Sequence, residues 1–304
     1  MPHDHAAVSD VLDLLGYGQR RISTLKEQPF ENASWLVEIV GEERFVLRRY
    51  HDGATFDDLV YEHSVLGHLE ALGWVVPHPI GELVCHEGSW WCPTRYVPGQ
   101  AVRDEIPKQQ RQRGLDLARL DLALRVLGPS LGQRRGWQAQ HSSVTVHTDI
   151  VWDDCLRSFS EVDTRLAAWA DRATAATRAA LEALGADDLP VTVVHGDFAE
   201  WNVHYQDNRL AGVIDFGLTH LDSRPFELAI ARTYRSPETV AAYREELARS
   251  DWPLTGLEEA SIEPIQHAFR VDMVAWQLDL GLRKGAYDLA MIERQLARTG
   301  TAPP

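Results

Sequence analysis

Cysteine is scarce in this chain: three residues among 304, Cys85, Cys92 and Cys155, with no Cys-x-x-Cys pair. An odd number without paired spacing excludes a disulfide framework and predicts idle thiols in a reducing, cytoplasmic setting. Positive charge is also short, with 30 Lys and Arg against 45 Asp and Glu and a formal net charge of −15. Nucleic-acid binding needs a basic face to meet phosphates, so the charge argues against that class, while it allows attraction of cationic small molecules. No apolar run approaches the roughly 20 residues of a membrane helix, so no membrane partner is expected. The start, MPHDHAAVSDVLDLLGYGQRR, lacks the basic and apolar parts of a signal peptide. No period of roughly 20–50 residues recurs, which excludes solenoids and propellers. The histidines show no His-Glu-x-x-His metal spacing.

What is present is an ordinary globular balance, 44% hydrophobic and 25% charged, enough to bury a core. The length suits one large domain or two of about 150 residues. Asp10–Leu15 has the pattern of a short helix with Ser9 as N-cap. Trp35–Val40 and Arg44–Tyr50 are β-rich runs around Gly41-Glu42-Glu43, a hairpin signal. Phe56–Leu72 is helical, with Leu59, Leu66 and Leu69 on one stripe and Gly73 as the stop. Ile80–Cys85 and Ser89–Val97 follow as strands, and Trp90-Trp91 there pack one strand face each or form an adenine box. Pro98-Gly99 then punctuates the chain.

Beyond it, Arg111–Leu127, Glu161–Leu184, Glu238–Arg249 (capped by Ser236), Glu263–Gly281 and Leu289–Thr299 are helical. Only Val191–Val194, Val203–Tyr205 and Gly212–Asp215 have strand character. The expected fold is α+β and two-lobed: a small β-rich lobe over residues 1–97 and a larger, mostly helical lobe over 98–304, with a cleft between them.

The richest stretch is His195-Gly196-Asp197-Phe198-Ala199-Glu200-Trp201-Asn202, followed by Ile214-Asp215-Phe216-Gly217. Asp197 and Asn202 lie five apart in a predicted loop, and Asp215 ends an apolar strand thirteen residues later. Mg²⁺ takes oxygen ligands, often one or two carboxylates completed by substrate phosphates. An Asp and an amide oxygen that hold the metal, with a second Asp to receive a hydroxyl proton, make the division of labour of a kinase site.

With these two motifs the sequence resembles the aminoglycoside phosphotransferase and choline kinase superfamily, whose fold is similar to that of protein kinases. His195-Gly196-Asp197-x-x-x-x-Asn202 matches the HGDxxxxN loop and Ile214-Asp215-Phe216-Gly217 the metal motif, within a resemblance running from about Gly18 to Leu296. It implies Asp197 as catalytic base, Asn202 and Asp215 as Mg²⁺ ligands, and ATP or GTP as phosphate donor. His195 is expected to shape the loop by packing.

The upstream half offers an independent check. In Phe45-Val46-Leu47-Arg48-Arg49-Tyr50, alternation puts Val46 and Arg48 on one strand face. Glu62 lies on the apolar stripe of the next helix, where a carboxylate is costly unless a cation meets it. Arg48 is the natural partner. It stands where the superfamily usually has a phosphate-contacting Lys, and its planar donor fork differs in reach. The segment Gln28–Ser34 carries no glycine to cover phosphate, and Asn32 and Ser34 either donate side-chain hydrogen bonds instead or form a plain turn. Pro93–Val97, with Tyr96, resembles the hinge whose backbone receives the purine.

On the acceptor side, Glu200 and Trp201 are the better candidates because they sit inside the catalytic loop. Asp272, Trp276 and Asp279 fall on neighbouring turns of one helix and form either an acceptor wall or a packed face with two solvated acids. Glu227, in Arg224-Pro225-Phe226-Glu227-Leu228-Ala229, stands where the superfamily often has Asp, and the resemblance implies a structural anchor there. The leading expectation is phosphorylation of a hydroxyl on a small molecule: an aminoglycoside or other antibiotic, an amino alcohol such as choline or homoserine, or a sugar. A protein kinase and a catalytically silent nucleotide-binding protein are the alternatives. Against the first, only twelve residues separate Asp215 from Glu227. Oligomeric state is not legible.

Overall fold

The computed structural model describes residues 4–26, 32–39, 41, 43–51, 53–101, 107–143, 145–233 and 237–303. Along the chain run α1 (Asp4–Leu14), β1 (Arg20–Lys26), β2 (Ala33–Ile39), β3 (Phe45–Arg49), α2 (Phe56–Ala71), β4 (Val84–His86), β5 (Ser89–Arg95) and β6 (Gln100–Ala101). There follow α3 (Pro107–Leu124), α4 (Gly128–Leu131), α5 (Trp152–Ser160), α6 (Thr164–Leu184), β7 (Val191–Val194), β8 (Val203–Gln206) and β9 (Arg209–Val213). The last are β10 (His220–Ser223), α7 (Arg224–Thr233), α8 (Pro237–Ala248), α9 (Gly256–Lys284) and α10 (Leu289–Leu296). The architecture is α+β, and no helix among the described residues is long and apolar enough to cross a membrane.

The chain divides into two compact units: Met1–Ala101 with Val203–Asp215, and Val102–Asn202 with Phe216–Pro304. A single cut after Val97 differs from this division because β6 pairs with β8, as Gln100↔Tyr205, and Val213 N donates to Val75 O at 3.1 Å. The β8–β9 hairpin therefore belongs with the first unit.

In that unit β1-β2-β3-β5-β4 form one antiparallel sheet. Strand alternation sends Trp35, Val37, Leu47 and Trp91 to one face, where Val8, Val11 and Leu12 of α1 cover them. Tyr50, Leu59 and Cys92 gather in a second cluster with half-buried Trp90 against it. The two tryptophans thus pack on separate clusters, Trp91 stacked on Trp35 and Trp90 near Phe56. Helix α2 starts in a capping box, Thr55 with Asp58, and buries Leu59, Glu62, Val65, Leu66 and Leu69.

The second unit is helical. Phe159, Trp169, Ala173, Val271, Val274 and Leu278 form one core, and Val194, Phe226, Ile230, Ile265 and Phe269 a second beside the β7–β10 pair. Gly114 lets α3 lie against α8, since a Cβ there would stand 2.1 Å from the Thr239 carbonyl oxygen.

Several local expectations are corrected. Ser9 lies inside α1 rather than capping it, because the helix begins at Asp4. Ile80–Cys85 forms strand only from Val84; ahead of it the chain meets β5 through the isolated bridge Pro79↔Thr94 and through Ile80 N, which donates to Pro93 O at 2.9 Å. The helix expected from Glu161 starts at Thr164, where Asp163 caps it by accepting from Leu166 N at 2.9 Å. Strands β1 and β10 carried no apolar signal. Ser236, the expected cap of α8, and Glu42 of the hairpin lie outside the described residues, as do Val40 and Gln28–Glu31.

Candidate active site

In the first unit the Arg48–Glu62 pair forms as expected. Arg48 Nη1 donates to Glu62 Oε1 at 2.8 Å, with the two residues 6% and 1% exposed. Burial works against the Arg48 charge, but Glu62 foremost, then Tyr50 and Asp215, outweigh it and leave the pKa above the ordinary guanidinium value. Arg48 Nη2 is buried with no hydrogen-bond partner, and Asp215 Oδ1 lies 3.5 Å from it as an ion pair. A buried donor left unmade is costly, so this edge of the guanidinium suits an anion such as a phosphate oxygen.

Asp215 follows β9 in the left-handed region (φ 64), with its side chain 34% exposed. That conformation is rare for a non-glycine residue. Cys92, next to this pair, is pushed up to about 12, by burial first and by Glu62 second, so it stays an unreactive thiol.

The nucleotide-side expectations are partly revised. Ser34 lies within β2, not in a loop before it, opposite Arg48 in the ladder and so on the same face. Asn32 Oδ1 accepts from His51 N at 3.0 Å, which pins the segment to the end of β3 and leaves the amide NH₂ as donor. Val46 is half-buried on the Arg48 face, and its carbonyl accepts from Thr94 Oγ1 at 3.2 Å. Tyr96, just after β5, has Arg44 over its ring at 4.1 Å.

In the second unit the loop that carries His195–Asn202 leaves β7 at Val194. His195 is fully buried, its ring 4.4 Å from that of Phe216, and its Nδ1 accepts from Asp197 N at 3.1 Å, a loop-shaping role. Gly196 turns the chain at φ 87, and a Cβ there would stand 2.1 Å from Leu218 O. Glu227, fully buried at the start of α7, accepts from Gly196 N at 2.7 Å and anchors the loop. Burial first, and Asp121 second, push the Glu227 pKa well above its ordinary value despite that hydrogen bond.

Asn202 closes the loop by donating from Nδ2 to Asp197 O (2.9 Å) and Asp197 Oδ2 (2.8 Å). The amide is thereby oriented with Oδ1 as its remaining acceptor, the donor type a hard cation takes. In the first unit the Asp215 carboxylate is the same kind of hard oxygen donor, and Mg²⁺ needs only one or two protein oxygens, drawing the rest from phosphate and water. Among the described residues no group of three or more His, Cys, Asp or Glu stands ready for another metal.

On the acceptor side, Glu200 pairs with buried Arg113 of α3 at 3.2 Å, while Trp201 is 46% exposed beside it. Asp272 is no solvated acid. It is 7% exposed, accepts from Val146 N at 3.0 Å and has its pKa pushed to about 7 by burial. Trp276 is half-buried one turn on, and Asp279 is paired with Arg283. Asp272 is therefore part of the packed interior. Sequence reasoning missed Arg134, whose Nη1 donates to Gly217 O (2.7 Å) and Thr219 O (3.0 Å) and fixes the segment after Asp215. It also missed Arg113. Neither carries a local signal, since each partner lies more than eighty residues away in the chain.

This sheet, helical unit and loop chemistry define a kinase-like phosphotransferase fold. Over 97% of its length the chain matches the GDP and kanamycin complex of APH(2")-IIia, with a TM-score of 0.70, 16% identity and 97% of that chain covered. The model of the phosphotransferase enzyme family, APH, matches residues 24–260, and the chain belongs to that family. It is a small-molecule phosphotransferase acting on a hydroxyl group. A homoserine kinase of Xanthobacter autotrophicus is 27% identical over 251 residues, 76% of this chain and 72% of that protein. A homoserine kinase of Bartonella henselae is 28% identical over 214 residues, and there the match spans 66% of this chain but only 60% of the relative.

Proposed function

We propose that this enzyme transfers the γ-phosphate of ATP or GTP to the hydroxyl of a small amine-bearing alcohol, homoserine-type acceptors first and aminoglycosides second. The observation that carries the reading is the built catalytic loop: Glu227 holding Gly196, and Asn202 holding the Asp197 carboxylate at 2.8 Å. Asp197 is the general base. As the acceptor oxygen bonds to the γ-phosphorus and the β–γ bridging bond breaks, the hydroxyl proton passes to its carboxylate, and the nucleoside diphosphate leaves.

Arg48, steadied by Glu62, presents its buried Nη2 to the donor phosphates. Asn202 Oδ1 and the Asp215 carboxylate are the oxygens that would serve as Mg²⁺ ligands, and the metal would neutralise phosphate charge. Exposed Trp201 contacts the acceptor. The net charge of −15 draws in a cationic amine. Homoserine ranks first because the curated relatives just named are homoserine kinases.

A protein acceptor is disfavoured. From Phe216 to Ser223 the chain is the turn Phe216–Leu218, one linking residue and β10, and α7 begins at Arg224, so no long activation segment is accommodated. Nucleotide consumption with Mg²⁺ against homoserine, choline, kanamycin and simple sugars tests the reading. Turnover on an amine-bearing alcohol that vanishes in Asp197→Asn is the expected result. Nucleotide binding without turnover on any of them would overturn it.

A further inference from the structure

We propose that Tyr50 and His63 are positioning residues for donor binding, forming a platform that holds the Arg48 guanidinium where it meets phosphate. The inference rests on the reading of Arg48 as the phosphate-binding cation. A guanidinium is planar and must be fixed in tilt as well as position, whereas the ammonium usual at this place is a point charge. Glu62 fixes only one edge, through Nη1 at 2.8 Å. Nη2 has no hydrogen-bond partner to set its direction.

The face of the group is held by Tyr50. Residues 48 and 50 point to the same side of the strand, and the Arg48 guanidinium carbon lies 4.9 Å from the Tyr50 ring centroid, within cation–π range. Tyr50 is 2% exposed, so the contact is desolvated and strong for its kind. The ring is itself held. Its hydroxyl and His63 Nε2 are 2.8 Å apart and share a hydrogen bond.

Burial lowers the His63 pKa, so the imidazole is neutral at neutral pH and adds no charge to compete with Arg48. His63 is the residue after Glu62 on α2. One helix turn thus delivers both supports: a carboxylate to the edge of the cation, and an imidazole to the ring beneath it. A purely space-filling aromatic would need no hydroxyl, and burying one is costly without its partner.

The test is a cycle of Tyr50→Leu, Tyr50→Phe and Arg48→Ala, read by calorimetry with Mg²⁺ and ATP and by KM against kcat. Tyr50→Leu is expected to weaken ATP binding about 5- to 30-fold, the span of a desolvated cation–π contact, with the loss falling on KM for ATP. Tyr50→Phe keeps the ring but frees its tilt and should fall between wild type and Tyr50→Leu. In the Arg48→Ala background Tyr50→Leu should have no further effect. Should Tyr50→Leu fail to fold, Tyr50→Phe and His63→Phe carry the same measurement, each expected to raise KM for ATP. Equal losses with and without Arg48, or a folded Tyr50→Leu that binds ATP normally, would overturn the proposal. Normal ATP binding by Arg48→Ala alone would instead overturn the reading of Arg48 on which it rests.

Discussion

Replacing Glu62 by Ala strands the Arg48 side chain, only 8% exposed, beside an empty space where its carboxylate partner had been 2.8 Å away. Breaking a buried pair from one side costs about 3–5 kcal/mol, because the remaining charge keeps its desolvation penalty and loses its compensation. For a chain of this size the melting temperature should fall by roughly 6–20 °C. The remaining carboxylate within reach is Asp215 at 3.5 Å, and the freed arginine turns toward it. Donor phosphates then lose a charged hydrogen bond, which should weaken Mg²⁺–ATP binding roughly 10- to 100-fold.

Glu62→Gln keeps an acceptor for Nη1 and should lie between. The double variant Arg48→Met with Glu62→Leu separates the two effects: an apolar pair of similar volume restores the melting temperature, as such replacements often do, while nucleotide affinity stays lost. Differential scanning fluorimetry and calorimetry on the four proteins decide the matter. A Glu62→Ala protein that melts within ~2 °C of wild type and binds ATP normally would refute the reasoning.

Asp197→Asn should lower kcat by about 10²–10⁴ while ATP affinity survives, and near-normal turnover would exclude Asp197 as base. Asp215→Ala should abolish the Mg²⁺ dependence of ATP affinity; an unchanged titration with and without the metal would exclude the ligand role. Gly196→Ala places a methyl 2.1 Å from Leu218 O at φ 87. It should cost about 1–3 kcal/mol of stability and depress kcat more than ATP affinity, as single-turnover kinetics would show. Asp272 takes up its proton near pH 7 when folded, against 3.8 ordinarily. The folded state therefore binds more protons across that window, and stability should fall as pH rises from about 4 to 7, by at most on the order of 4 kcal/mol. Asp272→Asn keeps an acceptor for Val146 N and should flatten the profile of melting temperature against pH; superimposable profiles would refute the assignment.

The parts of this molecule that were legible in the sequence are those whose chemistry is local. Asp197 and Asn202 contact each other five residues apart, and Arg48 and Glu62 sit on adjacent elements whose periodicity points them together. Illegible parts depend on distant partners. Helical spacing alone left Asp272 as an acceptor-facing or solvated acid, yet its hydrogen-bond donor is Val146, 126 residues earlier. Strand β10, His220–Ser223, is polar in composition and exists because β7 supplies its ladder. Tyr50 lay at the end of a recognised strand, and its role becomes visible only once His63 and Arg48 are both beside it.

The return of Val203–Asp215 to the first unit constrains how the protein is made. A ribosome that has finished Ala101 has not finished the unit, because the hairpin that pairs with β6 and Val75 lies more than a hundred residues downstream. At ~5–20 residues per second β6 waits on the order of 10 s for β8 and β9, the other two strands of its sheet. During that interval the Gln100–Ala101 edge has no partner strand, and unpaired edges are sites of misassociation. An excised fragment ending at Ala101 should therefore aggregate, and supplying the Val203–Asp215 hairpin on the same polypeptide should keep it soluble.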